Sequence, residues 1–246
     1  MKYDASGRQD LLELVRAIKR TVIETQGNAF SADSDRPMAE KNILKPIPAG
    51  NRNSEIRSNF IHESLSDIKN KLGDCSRCGL YQSRRNIVFG EGSPRAELVF
   101  VGEAPGEQED LQGKPFVGRA GGLLTKIIEA MGFSRNEVYI CNILKCRPPG
   151  NRNPKPDEIK ACEPFLISQL EAIQPKIICA LGSFAAKTLL KKESPITVLR
   201  GKLHPYRGIY LMPTYHPAYL LRNPGAKRQV WDDMKIIMKY LSDGRN

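Results

Sequence analysis

Residues 102 to 124 bring six glycines, two prolines and four carboxylates together directly behind the apolar run Glu97-Leu-Val-Phe-Val101. Glycine lets backbone approach a ligand closely, proline stiffens the path, and a loop leaving the carboxyl end of a strand sits where open α/β sheets bind small molecules. That is the composition of a binding loop. Its acids, Glu103, Glu107, Glu109 and Asp110, stand in a chain of net charge +11, so they serve a local ligand rather than the global field.

Cysteine offers a second chemistry. Cys75-Ser-Arg-Cys78 has the two-residue gap that lets both sulfurs reach one metal. Cys146 precedes the loop Arg147-Pro-Pro-Gly-Asn-Arg-Asn-Pro154, and Cys162 falls in the helix expected beyond it. Thiolates at 75, 78, 146 and 162 would complete a four-ligand set for zinc or for an iron–sulfur cluster, and spacing alone does not choose between the two. By pattern, Cys162 serves equally well as a small buried hydrophobe on a stripe with Ile159 and Leu166. Cys141 and Cys179 lie inside apolar runs and read as core.

Of the three histidines, His216 follows the apolar run Ile209 to Met212, so it emerges at the same sheet edge as the glycine loop. His62 falls on the polar side of a helix, and His204 in a basic, solvated turn.

Periodicity supplies the elements that position these groups. Strands are expected near 97–101, 137–142, 176–181 and 209–213, alternating with helices near 119–131, 157–172, 183–191 and 226–242. Single helices between strands imply right-handed crossovers, so the fold class is α/β: a three-layer α/β/α arrangement around a central, mainly parallel four-stranded sheet. A stripe at Ile61, Leu65, Ile68 and Leu72 predicts one more helix, ending at Gly73 before the first cysteine pair. Upstream, Leu11, Leu14, Val15, Ile18 and Val22 predict an amphipathic helix over 10–25, and the polar stretch 26–58 a flexible linker. Two regions follow: 1–59, a helix with a linker, and 60–246, the globular domain.

Charge belongs to the second region. Residues 1–59 hold ten basic and eight acidic side chains, which leaves +9 of the +11 to the remaining 187 residues. A basic domain of this size fits nucleic acid better than an acidic metabolite. With no signal-like N-terminus and no run near 18 apolar residues, the chain reads as a soluble, cytoplasmic protein without membrane attachment. The glycine loop lacks the Gly-x-Gly-x-x-Gly fingerprint, and no Gly-Lys-Ser/Thr phosphate loop occurs, which argues against a nucleotide-using enzyme.

Together, Gly102-Glu-Ala-Pro-Gly106 with Glu109-Asp110, Gly113-Lys-Pro-Phe-Val-Gly118, Asn142, the four cysteines and Tyr215-His-Pro-Ala-Tyr-Leu-Leu221 resemble the family 4, iron–sulfur uracil-DNA glycosylases in order and spacing. The resemblance spans residues 61 to 242. It implies the uracil-DNA glycosylase fold, a [4Fe-4S] cluster on Cys75, Cys78, Cys146 and Cys162, and a monomer that excises uracil from single- or double-stranded DNA. A catalytically silent iron–sulfur DNA-binding member of the same fold is the alternative.

Under that resemblance each matched residue has a physical role. The base must first leave the stack. Phe116 would cover one face of it, the amide of Asn142 would donate to O4 and accept from N3–H, and backbone at Gly102, Glu103 and Ala104 would line its edge. His216 would donate to O2 as negative charge collects on the departing uracil. Ala104 stands where related glycosylases carry a water-activating acid, so Glu103, Glu109 and a water held by Asn142 compete for that role. Glu109 also suits shaping the pocket near C5, while the loop acids could equally cap the helix that begins near Arg119. Arg147, Arg152 and Lys155 beside the cluster, and Arg200, Lys202 and Arg207 near the second turn, would neutralise phosphates. Leu220 or Leu221 would wedge into the gap left by the base, with Arg222 alongside on DNA.

Overall fold

The computed structural model describes residues 63–244. The helix expected over 10–25, the linker over 26–58 and His62 lie outside the described residues.

The first described helix, α1 (Leu65–Leu72), starts at a reciprocal cap. Ser64 Oγ accepts from the Asp67 N–H at 3.2 Å, and the Asp67 carboxylate accepts from the Ser64 N–H at 3.0 Å. The helix stops at Gly73, whose φ of 53° suits glycine. Then come β1 (Glu91–Gly92), β2 (Leu98–Gly102), α2 (Glu107–Gln112), α3 (Arg119–Ala130), β3 (Tyr139–Asn142), α4 (Pro156–Ile173), β4 (Ile177–Leu181) and α5 (Ser183–Leu190). The chain continues through α6 (Ile196–Leu199), β5 (His204–Tyr206), β6 (Ile209–Thr214), α7 (Pro217–Arg222) and α8 (Lys227–Asp243).

The sheet runs β1-β3-β2-β4-β6-β5. Its four inner strands are parallel, and they are the four read from the sequence. The expected count of four needs correction to six, because β1 and β5 add antiparallel edges. Both are two or three residues long and carry Gly92 or Pro205, so no alternating pattern announces them.

Alternation along the inner strands divides the core into two layers. Val99, Val101, Cys141, Ile178, Ala180 and Leu211 pack on one side with Leu166 and Leu170 of α4 and Ala185, Ala186 and Leu189 of α5. Leu98, Phe100, Ile140, Ile177, Cys179 and Met212 pack on the other with Leu124 and Ile128 of α3 and Met234 and Ile237 of α8. Sheets covered on both faces read as continuous apolar runs, and the middle layer here does so. Cys141 and Cys179 are core, each fully buried. α1 lays Ile68 and Leu72 against Phe89 and Phe165, which fixes the turn carrying the first cysteine pair to α4. Among the described residues no helix is long and apolar enough to cross a membrane.

Candidate active site and cysteine cavity

The parallel register sets Gly102 at the end of β2 beside Asn142 at the end of β3. Asn142 is buried, and its Oδ1 has no hydrogen-bond partner among the described residues. A buried acceptor left open marks a place for a donor from outside. Gly102 is what makes room. A Cβ there would stand 2.3 Å from Asn142 Oδ1 and 2.6 Å from Phe116 Cζ.

Phe116 closes the same space. Its backbone takes φ 52°, an uncommon conformation for a bulky residue. Arg135 holds it there, donating to the carbonyls of Pro115 at 3.0 Å and Phe116 at 3.4 Å. Gly121 lies against that carbonyl, where any Cβ would collide with it. The Phe116 ring faces the His216 ring at 5.6 Å between centroids, with planes 32° apart.

His216 caps α7. Its Nδ1 accepts from the Ala218 N–H at 3.1 Å, so a neutral ring carries its proton on Nε2. Burial, with Arg222 adding positive charge nearby, lowers its pKa to about 4. The ring is therefore a neutral donor at physiological pH. Gly182, at φ 94°, packs behind it. Below it, Thr214 donates to Asp233, whose carboxylate is also forked by Arg200 at 3.0 and 2.8 Å.

Phe116, Asn142 and His216 line one cavity of about 520 Å³, together with Glu103, Ala104, Glu109, Asn151, Arg152 and Tyr219. Glu109 is not a free base. Its Oε1 accepts from the N–H groups of Val117 and Gly118 at 2.9 and 3.0 Å, and its Oε2 from Gly106 at 3.1 Å. It ties the start of α2 to the start of α3, the capping role that the sequence left open. Asp110, unlike Glu109, is buried, and it accepts from the N–H groups of Arg85 and Asn86. Glu103 differs. Burial raises its pKa, and no hydrogen bond to its carboxylate contributes to that shift.

The structure separates the basic candidates. Arg152 lines the cavity around Asn142, not the cysteine cavity, and makes a two-pronged bond to Glu158 at 2.9 and 2.6 Å. Arg147 is half-buried and donates to Asn151. Arg200 is committed to Asp233, and Arg207 lies 3.6 Å from Glu171. Lys155, Lys202 and Arg222 are exposed. Leu220 is buried in the core, so it cannot enter DNA, whereas Leu221 is 45% exposed. His204, expected in a solvated turn, is instead buried in β5 with Nε2 2.8 Å from the Leu199 carbonyl, because the edge strand folds it under α6.

Cys75, Cys78, Cys146 and Cys162 line a second cavity, together with Arg77, Arg84 and Lys145. Positive and amide groups point at the sulfurs: Arg77 Nη1 at Cys75, 3.3 Å; Arg84 Nη1 at Cys146, 3.5 Å; the Lys145 N–H at Cys162, 3.3 Å. Lys145 is a residue the motifs did not flag. It is 1% exposed, and its Nζ donates to the Asn142 carbonyl at 2.7 Å. A lone lysine closing the apolar run Val138 to Leu144 was the available signal.

Comparison with known proteins identifies the family. Residues 89–235 match the family model described as the uracil DNA glycosylase superfamily. The chain is 48% identical over 184 residues to a type-4 uracil-DNA glycosylase of Sulfurisphaera tokodaii, covering 71% of this chain and 84% of that protein. It is 47% identical over 187 residues to the type-4 uracil-DNA glycosylase of Thermotoga maritima, covering 74% and 97%. A type-5 uracil-DNA glycosylase of Pyrobaculum aerophilum shares 29% over 192 residues, 65% of this chain and 84% of that protein. The chain belongs to the uracil-DNA glycosylase superfamily, among its type-4 members.

Proposed function

We infer that the chain extrudes deoxyuridine from DNA into the cavity beneath Phe116 and hydrolyses its N-glycosidic bond, leaving an abasic site. The observation that carries this reading is the open Oδ1 of buried Asn142. Uracil offers N3–H to it and O4 to the amide nitrogen; cytosine, with a bare N3 and an amine at C4, satisfies neither.

As C1′–N1 breaks, the electron pair moves to uracil and the sugar becomes cationic. Neutral His216, its Nδ1 already occupied, can present Nε2–H to the oxygen where the charge collects. Phe116 supplies a flat wall for the ring, and Gly102 lets the base reach Asn142. For the water, Glu103 is the better candidate. Glu109 is fully engaged with backbone, whereas Glu103 is a desolvated carboxylate in the cavity wall whose raised pKa makes it a stronger base. Lys155, Arg222 and Leu221, all exposed, would contact the DNA strand, and Arg147 and Arg152 would shape the loop beside them. We take the protein to act as a monomer inside the cell, on a base flipped from single- or double-stranded DNA. We assign the glycosylase to residues 60–246 and treat 1–59 as an appendage, since the family model matches residues 89–235.

The four cysteines fit a [4Fe-4S] cluster. Their thiols surround one cavity and meet three N–H donors, the environment an anionic thiolate cluster requires. Bound there, the cluster would pin the 75–78 turn to α4 and to the 142–146 turn that carries Asn142.

The test is an oligonucleotide with a single uracil, incubated with the protein and then with alkali. Strand breakage at the uracil, and none at cytosine in the same sequence, supports the reading; an intact strand contradicts it. Iron content and visible absorption, both lost on Cys146→Ala, test the cluster separately, and a colourless protein with one zinc would overturn it.

A further inference from the structure

Lys145 is a buried cation between the two cavities. Its side chain reaches the carbonyl of Asn142, its own N–H faces Cys162, and among the described residues no carboxylate forms an ion pair with it. Burying an ammonium costs several kcal/mol unless something offsets it. A methionine would fill the same space at no such cost, so packing does not explain a lysine here. Two features do. On one side lie the sulfurs of Cys162 and its partners, which as ligands are thiolates and carry negative charge. On the other lies the end of β3, where uracil acquires negative charge as it departs. His216, the group that meets that oxygen, enters the reaction uncharged.

We propose that Lys145 is a positioning residue of the uracil site, which holds the Asn142 backbone from behind and provides the fixed positive charge that stabilises the departing uracil anion. The inference rests on the glycosylase reading. Lys145 neither gives nor takes a proton. The C1′–N1 pair goes to uracil, hydroxide from water goes to C1′, and the water's remaining proton goes to the base that activates it. Charge fixed in a low-dielectric interior acts more strongly than the same charge in water, and it is in place before the bond breaks. The thiolates on the far side explain how a cation can be kept there.

The experiment compares single-turnover excision of uracil and 5-fluorouracil by wild type, Lys145→Met, Lys145→Gln and Lys145→Arg, with the visible absorption of the cluster recorded for each. Fluorine is little larger than hydrogen but makes the uracil anion intrinsically more stable, so its release needs less help. Lys145→Met and Lys145→Gln should lose at least about tenfold on uracil and distinctly less on 5-fluorouracil, while Lys145→Arg keeps the wild-type ratio. Gln retains a donor for the Asn142 carbonyl, so it separates charge from hydrogen bonding. Equal losses on both bases, a wild-type ratio in Lys145→Gln, or loss of the cluster from all three variants would overturn the proposal. Wild type that releases neither base would instead refute the glycosylase reading.

Discussion

The Ala218 N–H donates to His216 Nδ1 at 3.1 Å, which leaves Nε2 as the protonated nitrogen of a neutral ring. The two residues stand at the cap and second position of α7, so the backbone of one short helix fixes the tautomer of the residue proposed to meet the leaving group.

The first prediction concerns acid. The folded pKa of His216 is about 4 against an ordinary 6.5, so the unfolded chain binds this proton more readily. The contribution to stability is fully present above pH 6.5 and is lost as pH falls toward 4. Between pH 7 and pH 5 the loss from this group is about 2 kcal/mol. Urea midpoints at the two pH values should show it, and His216→Asn should reduce the difference without abolishing it, because buried His204 shifts the same way. An undiminished difference would refute the assignment.

A methyl group at Gly102 should stop the reaction without unfolding the protein. It would intrude on both Asn142 and Phe116. Gly102→Ala should lose at least about a hundredfold in excision, since small displacements at a reacting site cost that much. Gly122→Ala, on the exposed side of α3 with open space around it, should keep full activity and a slightly higher Tm. Near-wild-type excision by Gly102→Ala would show that the base does not bind here.

Two basic residues in one loop should behave differently. Lys155→Ala should weaken DNA binding and reduce the slope of log affinity against log salt by about 1. Arg152→Ala should instead lower Tm, because the Glu158 carboxylate, 4% exposed, is left without its guanidinium. The reverse pattern, with Arg152 governing the slope, would return it to the phosphate track.

The four inner strands and the four long helices were legible to within about two residues, because strands buried on both faces have unbroken apolar runs and the helices between them carry clear stripes. The edge strands were not, since three residues such as His204-Pro-Tyr206 have no period to read. At the site, sequence motifs brought together Phe116, Asn142 and His216, which the structure places around one cavity, and Gly102, which lies against the first two. They did not distinguish Leu220 from Leu221, because the face that α7 turns inward is decided by its packing on the sheet layer. Nor did they separate the loop acids. A carboxylate that binds three backbone N–H groups, as Glu109 does, and one that binds none among the described residues, as Glu103 does, are the same letter in the sequence.

The most direct test is excision from otherwise identical substrates carrying uracil, hypoxanthine or thymine, by wild type, Asn142→Ala and His216→Ala. Wild type should release uracil and leave thymine in place. Each variant should lose about a hundredfold or more on uracil, the scale of removing one preorganised donor. Full uracil activity in both variants would contradict the site.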